Sequence, residues 1–204
     1  MNLAVTDEII NYLIQKDAIF SNLYDIYGKA KLEGSVDVFQ SIVSSIIGQQ
    51  LSIKAKRVIF DRFINTIKNF TPEAIIKTSD SDIRNCGISF AKIKYIKELS
   101  QKVVNKEYDF SGLESLSDEE LIQELCKIKG VGIWTAEMLA LFTFKRKNIF
   151  SYSDVALKNG IMKAKGYKTL SLKRFNSLKK LYSPYCSYAS LYFYAHNDNE
   201  LRWK

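Results

Sequence analysis

The chain of 204 residues is 47% hydrophobic and 13% aromatic, which is enough to bury a full core in one domain or two small lobes. Its 30 Lys and Arg exceed its 22 Asp and Glu, and the net charge of +8 suits a polyanion such as nucleic acid, although solvated lysine surfaces give the same excess. Since no apolar run approaches the roughly 18 residues that span a membrane, and the N-terminus carries no basic-then-apolar signal, no membrane partner is expected.

Three cysteines and one histidine limit the chemistry of the chain. Cys86, Cys126 and Cys186 are odd in number and far apart, which excludes a disulfide framework and a close-spaced zinc or iron–sulfur quartet and indicates a reducing, cytoplasmic setting. With His196 alone, most Ser-His, Cys-His and multi-histidine metal chemistries are excluded. Any catalysis is expected to depend on carboxylates, lysines or bound water.

Apolar residues recur every three or four positions, and this spacing predicts an all-α fold. Such stripes run through residues 42–47, 59–67 and 121–128. Thr71 before a proline predicts a helix N-terminus, and Ser117 before three acidic residues predicts a capping box. No repeat, low-complexity segment or flexible linker is present in the sequence, so any lobes are expected to be interwoven.

The segment 125–142, LCKIKGVGIWTAEMLALF, joins two predicted helices through a Gly-x-Gly turn. The first helix is expected to end at Gly130 and the second to begin near Thr135. Glycines let the backbone approach a ligand closely, and the amides at the start of the second helix favour an anion, with Lys127 and Lys129 adding charge. The turn therefore predicts a phosphate site without sequence readout; the alternative is a glycine that only caps a helix in an αα-hairpin.

Four segments, in the same order, resemble the helix-hairpin-helix (HhH-GPD) DNA glycosylase superfamily, and in particular its 3-methyladenine DNA glycosylase II branch. They are IIGQQLS at 46–52, CGIS at 86–89 with Lys92 and Tyr95, the hairpin string IKGVGIWTA, and an aromatic stretch at 185–194. The resemblance implies that the hairpin binds DNA phosphate through Lys129, Gly130, Val131, Gly132 and Thr135.

The resemblance also implies the domain organisation. A single all-α glycosylase domain is expected, with residues 38–140 forming a central helical bundle that contains the hairpin at 128–135. Residues 1–37 and 141–204 are expected to form the second helical lobe, with double-stranded DNA containing damaged bases in the cleft between the lobes. The enzyme is expected to be a cytoplasmic monomer, associated with the nucleoid if the source is bacterial, and to bind DNA less tightly as salt rises.

No organic cofactor is required by the implied chemistry. The resemblance makes the hairpin backbone a candidate site for a structural Na⁺ or K⁺, held by the carbonyls of Cys126, Ile128 and Val131.

Asp154 matches the position of the family's essential aspartate. An ionised carboxylate stabilises the positive charge that develops on the deoxyribose as the N-glycosidic bond breaks, and it orients or activates the attacking water. The local alternative is that Ser153 or Asp154 caps the helix beginning VALKNGIM. Both roles are compatible, because a helix N-terminus keeps a carboxylate ionised.

Trp134 stands where bifunctional relatives carry a lysine. The resemblance therefore implies base excision that leaves an abasic site, without efficient strand cleavage, from alkylated purines such as 3-methyladenine and 7-methylguanine and with hypoxanthine as a further candidate. Lys127, Lys129 or Lys158 could still give weak lyase activity. The alternatives are a bifunctional glycosylase/lyase for oxidised bases and a helix-hairpin-helix module that binds DNA without catalysis.

A base inside a duplex must be flipped out, and the gap must be filled by a protein side chain. Ile88 and Phe90, on either side of Ser89, are wedge candidates, although apolar residues in a helix–helix turn are more often core. Gln49 and Gln50 are candidates for hydrogen bonds to base edges near the lesion; the alternative is a polar helix face. The aromatic faces expected to bind a cationic base are those of Trp134, Tyr194 and Tyr152.

Overall fold

The computed structural model describes residues 3–32 and 37–198, and these residues are predominantly helical. Twelve α-helices lie in the described ranges, together with a short 3₁₀ helix at Leu113–Ser115 and a two-stranded antiparallel ribbon in which Leu3 pairs with Leu32. The predicted all-α fold is confirmed. None of the helices in these ranges is long and apolar enough to cross a bilayer.

The elements follow in chain order. They are β1 (Leu3–Ala4), α1 (Asp7–Lys16), α2 (Ile19–Tyr27), β2 (Lys31–Leu32), α3 (Val38–Gly48), α4 (Ile53–Ile67), α5 (Pro72–Lys77), α6 (Asp80–Asn85), α7 (Phe90–Val104), α8 (Asp118–Cys126), α9 (Ile133–Phe142), α10 (Val155–Lys165), α11 (Leu172–Tyr182) and α12 (Cys186–Asp198).

The chain divides into two compact units, one of residues 36–139 and one of residues 1–35 with 140–204. These bounds lie within two residues of the predicted lobe boundaries. The assignment of both units to a single glycosylase domain stays a prediction.

In the unit of residues 36–139, α7 packs against α3, α5 and α6, and α4 packs against α3 and α6. The predicted apolar stripes face this core: Ile42, Phe63 and Leu121 have no exposed surface. Thr71 and Ser117 cap α5 and α8 as predicted, the latter through a capping box with Glu120. Local capping and the apolar period thus determine where most of these helices begin and which face they bury.

The predicted end of the first hairpin helix is wrong, because α8 ends at Cys126 and not at Gly130, and α9 begins at Ile133, two residues before the predicted Thr135. The amide of Ala136 already donates to the Gly132 carbonyl at 2.9 Å, so helical hydrogen bonding starts directly after the second glycine. The connection between α8 and α9 therefore comprises residues 127–132, which is six residues instead of the predicted four, 131–134.

In the other unit, α12 is the central helix. Every position from Cys186 to Ala195 is buried, and α2, α10 and α11 pack against it. At Gly160 in α10, a Cβ atom would lie 2.0 Å from the backbone oxygen of Phe193, so the missing side chain lets the two helices approach closely. Because α10 begins directly after Asp154, this contact fixes the helix that carries the candidate catalytic residue.

A buried polar network links the ends of four helices in the same unit. The Asp17 carboxylate, just after α1, accepts hydrogen bonds from the Tyr182 hydroxyl at 2.6 Å and from the Lys165 ammonium, and its other oxygen accepts from the Ile19 amide at the start of α2. Burial alone would raise the pKa of Asp17, but the hydrogen bonds from Lys165 and Tyr182 lower it below its ordinary value.

Replacing Asp17 by Asn is expected to lower the free energy of unfolding at pH 7 by about 1–3 kcal/mol, because Lys165 loses its counter-ion in a mostly buried position. The folded-state pKa of Asp17 lies below its ordinary value of 3.8, so the stability that the carboxylate contributes is present above that value and is lost as the pH falls through the folded pKa. The free energies of unfolding that urea denaturation gives for the two proteins should therefore show the full difference at pH 7. The difference should begin to shrink below about pH 4.

The matched control is Asp7→Asn, which removes the partner of Lys29 in an exposed ion pair. Solvent screens that pair, so its urea midpoint is expected to stay close to that of the wild type at every pH. Equal losses in the two variants would contradict a special role for the buried network.

Candidate functional site

The two hairpin glycines lack a side chain for different reasons. Gly130 has φ +88°, and a Cβ atom on it would lie 2.6 Å from the Tyr95 ring, so both backbone conformation and packing exclude a larger residue. Gly132 has an ordinary φ, and a Cβ atom there would meet open space. The fold therefore requires the first glycine, whereas the second leaves room for a ligand against the backbone.

The Gln49 side chain is hydrogen-bonded to the hairpin. Its amide nitrogen donates to the Gly130 carbonyl at 2.7 Å and to the Thr135 hydroxyl at 3.2 Å, and Thr135 is buried. Both protons of this amide are therefore used inside the protein. The donor group of Gln49 thus supports the turn, and the predicted contact of Gln49 with a base edge stays a prediction for its carbonyl oxygen alone.

The segment from Ser89 to Tyr95 completes the support. Ser89 caps α7 by accepting a hydrogen bond from the Lys92 amide, and the Lys92 ammonium donates to the carbonyls of Ile47 and Gln49 at 2.9 and 2.7 Å. Burial lowers the pKa of Lys92 from its ordinary value. The lysine thus caps the end of α3, from which Gln49 extends, and Tyr95, one turn later, packs on Gly130.

A surface concavity lies beside the turn. Its lining residues come from the end of α3 and from the hairpin: Gln49, Gln50, Gly130, Val131, Gly132, Trp134 and Thr135. Trp134 is 42% exposed, and Gln50 is exposed with φ +59°. The predicted contacts of Trp134 with a base and of Gln50 with base edges have the necessary access and stay predictions.

The two wedge candidates differ in exposure. Ile88 is 1% exposed, so it belongs to the core and is withdrawn as a wedge. Phe90 is 64% exposed at the start of α7, with the Arg84 guanidinium 5.7 Å from its ring centroid. Phe90 is therefore the wedge candidate that remains, and Ser89 beside it has a capping role.

The hairpin lysines are compensated by acidic side chains. Lys129 pairs with Glu98 at 2.9 Å, and Lys127 pairs with Glu124. The positive potential at the turn therefore depends largely on backbone amides and on the N-terminus of α9.

The candidate cation site uses backbone oxygens of the same turn. The Ile128 carbonyl accepts a hydrogen bond from the Val131 amide at 3.0 Å, which leaves its second lone pair for an ion. Together with the carbonyls of Cys126 and Val131, this donor set is of the oxygen type that hard cations accept, so the residues fit the predicted Na⁺ or K⁺.

Asp154 is the N-cap of α10, as its alternative interpretation predicted. Its carboxylate accepts a hydrogen bond from the Leu157 amide at 2.8 Å, and the residue is 4% exposed. The structure thus holds the carboxylate in a fixed position at the start of α10.

The remaining predicted aromatic residues are less exposed than Trp134. Tyr194 is 0% exposed, with its ring 6.1 Å from that of Phe142, because α12 is buried on all sides; direct stacking of a base on it is not available in this conformation. Tyr152 is half-buried, contacts Phe175 edge to face, and has the Lys158 ammonium 4.9 Å from its ring centroid. A cation of the chain itself thus occupies a position over this ring.

The family model for the HhH-GPD superfamily base excision DNA repair protein matches residues 43–184. The chain belongs to this superfamily. The DNA-3-methyladenine glycosylase 1 of Schizosaccharomyces pombe is 30% identical to it over 180 residues, which cover 78% of this chain and 76% of the relative.

Solved structures of HhH-GPD proteins share the fold. A DNA-3-methyladenine glycosidase from Bacillus halodurans matches with a TM-score of 0.80 at 32% identity, over 96% of this chain and 92% of that one. The S. pombe 3-methyladenine DNA glycosylase Mag1, solved in complex with abasic DNA, matches with a TM-score of 0.78 at 28% identity, over 92% of this chain and 95% of that one. The family resemblance predicted from the four segments is confirmed.

Within this HhH-GPD chain, sequence reasoning missed the positioning roles of Gln49, Lys92 and Tyr95. A signal existed for two of them, because Ser89, Lys92 and Tyr95 follow at spacings of three on one helix and therefore share a face. No local pattern indicates that this face meets the hairpin, since that contact joins residues far apart in the chain.

The two glycines are expected to separate stability from DNA binding. Gly130→Ala should lower the free energy of unfolding by about 1–3 kcal/mol, because it combines a disfavoured φ with a clash against Tyr95. Gly132→Ala should leave thermal stability nearly unchanged but weaken duplex binding about ten-fold, because a methyl group keeps a phosphate away from the amides. Thermal denaturation and fluorescence anisotropy with a labelled duplex measure the two effects. Wild-type affinity in Gly132→Ala would show that no phosphate approaches this backbone.

Proposed function

We propose that the protein is a monofunctional DNA glycosylase of the 3-methyladenine II type. It hydrolyses the N-glycosidic bond of alkylated purines in duplex DNA, namely 3-methyladenine and 7-methylguanine, with hypoxanthine as a further substrate, and leaves an abasic site for base excision repair. The observation that carries the proposal is the Asp154 carboxylate fixed at the N-terminus of α10 in a chain of the HhH-GPD superfamily. The names of the S. pombe and B. halodurans relatives support alkylated purines as substrates.

The proposed reaction uses the carboxylate as a fixed negative charge. As the bond from C1′ to the base breaks, positive charge develops on the deoxyribose, and the ionised Asp154 stabilises it and orients water toward C1′. Water adds its oxygen to C1′ and releases a proton. A purine alkylated at N3 or N7 carries a positive charge before the reaction and leaves as a neutral base, so a separate general acid is not required.

Recognition of the lesion is assigned to the exposed residues beside the hairpin. Trp134 offers an aromatic face, which attracts a cationic base more strongly than a neutral one. Phe90 would fill the space that the flipped nucleotide leaves, and the hairpin amides would hold a phosphate. Tyr152 is half-buried and Tyr194 is buried, so a base could contact only part of the Tyr152 ring and would not stack on Tyr194 in this conformation.

The remaining proposals concern the setting of the enzyme. A monomer acts in the cytoplasm on damaged duplex DNA, and Na⁺ or K⁺ at the hairpin carbonyls would fix the turn without taking part in catalysis. No organic cofactor enters the proposed reaction. The Mag1 relative solved with abasic DNA supports DNA as the partner.

Asp154→Asn is expected to lower the single-turnover excision rate of 3-methyladenine by about 10²–10⁴-fold, because the amide cannot stabilise the developing positive charge. Asparagine caps helices as well as aspartate does, so thermal stability and DNA affinity should stay near wild-type values. Excision is measured on alkylated duplex DNA, with alkaline treatment to reveal abasic sites.

The matched control is Asp37→Asn. Asp37 caps α3 through the Gln40 amide in the same way that Asp154 caps α10, but it is exposed, and its replacement should leave excision unchanged. Wild-type excision in Asp154→Asn would refute the mechanism. A wild-type protein that binds the duplex and excises nothing would support the non-catalytic module instead.

Borohydride treatment during the reaction tests the monofunctional assignment. Trp134 replaces the amine that forms a Schiff base in bifunctional relatives, so little covalent protein–DNA adduct is expected beyond the level of a no-lesion control. A strong adduct would favour the glycosylase/lyase alternative, and Lys127→Gln, Lys129→Gln and Lys158→Gln would then identify the amine.

A further inference from the structure

The net positive charge of the chain is concentrated between two consecutive acidic residues, Asp154 and Asp198. This segment contains eight of the thirty Lys and Arg and none of the 22 Asp and Glu. The remaining 22 basic residues equal the acidic residues in number, so the rest of the chain is formally neutral. A charge so unevenly distributed creates a local positive potential, whereas interspersed charges largely cancel.

Six of the eight basic residues of this segment are exposed on the unit formed by residues 1–35 and 140–204, whereas Lys158 is half-buried and Lys165 pairs with Asp17 in a mostly buried position. One face of α11 is buried through Phe175, Leu178 and Tyr182, and the rest of the helix is exposed. We call the exposed basic residues of α11 and the preceding loop the basic surface: Lys168, Lys173, Arg174, Lys179 and Lys180.

Two observations distinguish the basic surface from an ordinary solvated helix. None of its five side chains pairs with a carboxylate of residues 3–32 or 37–198, unlike the hairpin lysines Lys127 and Lys129. Lys173 and Arg174 also stand in the first turn of α11, where the helix dipole disfavours a cation and no acidic residue offsets it. Helix stability therefore does not explain these two residues.

The spacing of the cations on α11 is comparable with the spacing of phosphate charges along a DNA duplex. Lys173 and Lys180 are seven residues apart on one helix, which is about 10 Å along its axis. A duplex segment of that length carries about six negative charges. The Arg174 guanidinium lies 4.6 Å from the Tyr167 ring centroid, and this contact orients a group suited to phosphate.

We infer that the basic surface is a second DNA-contact site, which holds the phosphate backbone of undamaged duplex without reading its sequence. The site belongs to a different unit from the hairpin and contributes to non-specific binding, whereas excision depends on Asp154. The inference rests on the proposed function only in taking duplex DNA as the polyanion. Such contacts give affinity that falls steeply with salt and support movement along DNA between lesions.

The test replaces four cations of the basic surface, Lys173→Gln, Arg174→Gln, Lys179→Gln and Lys180→Gln, in one variant. The matched control removes four exposed lysines of the other unit through Lys68→Gln, Lys77→Gln, Lys94→Gln and Lys106→Gln, and so reaches the same net charge. Binding of undamaged duplex is measured by anisotropy from about 0.05 to 0.3 M salt, and excision under single-turnover conditions with saturating enzyme.

The basic-surface variant is expected to bind undamaged duplex at least about ten-fold more weakly, with the slope of log K against log salt reduced by about 2 to 3.5. The control should bind within about two-fold of the wild type, and both variants should excise at the wild-type rate once saturated. Equal affinity and slope in the two variants would overturn the inference. If the four-residue variant is unstable, Lys179→Gln with Lys180→Gln decides between the same outcomes, with a slope change of about half the size.

Failure of this inference and failure of the proposed function give different results. A wild type that excises alkylated bases, with a basic-surface variant that binds like the control, leaves the function intact and removes the second site. If the wild type excises nothing but its duplex binding depends on the basic surface, the second site is supported and the proposed function fails.

Discussion

The close contact between Gly130 and the Tyr95 ring is the constraint on which the hairpin depends. A side chain at position 130 would overlap the ring, and a carbonyl without the Gln49 amide would lose the hydrogen bond that anchors the turn. Lys92 caps the end of α3 from which Gln49 extends. Three segments far apart in the sequence therefore have to be in place before the amides of the turn can present themselves to a ligand.

The need to support the hairpin explains physically why two of the other family segments contain these residues. The residues of GQQLS and of CGIS with its lysine and tyrosine look, from their types, like contacts to DNA. Gln49, Lys92 and Tyr95 instead act inside the unit of residues 36–139 and support the backbone of the glycine turn. The Asp154 carboxylate likewise has a structural role, because it caps α10, and in the proposed mechanism the same group supplies the negative charge.

Features set by local chemistry were predictable from the sequence. The caps at Thr71, Ser117 and Asp154 follow from residue type and position, and the apolar period gives the helices and their buried faces. Features set by tertiary packing were not. Ile88 and Tyr194 have the residue types of a wedge and a pocket wall, but one lies in a core and the other in a helix buried on every side. The sequence around each left burial open as an alternative, since apolar residues in a turn are more often core and ASLYFYA at 189–195 is largely apolar on every helix face, but only tertiary packing decides between the alternatives.

The distribution of charge distinguishes the two phosphate sites that we propose in this chain. At the hairpin, Glu98 and Glu124 neutralise the lysines, which leaves a short-range site made of amides that requires close approach and correct geometry. Along α11 the cations have no such partners in the described chain, and their field extends about a Debye length, roughly 8–10 Å, at ordinary ionic strength. A long-range electrostatic site can bind any duplex, because it does not require a particular geometry. The amide site requires a particular geometry, and it can therefore hold the duplex in the one register that places a single nucleotide for reaction. Separating the two allows loose attachment during search without loosening the geometry around the carboxylate.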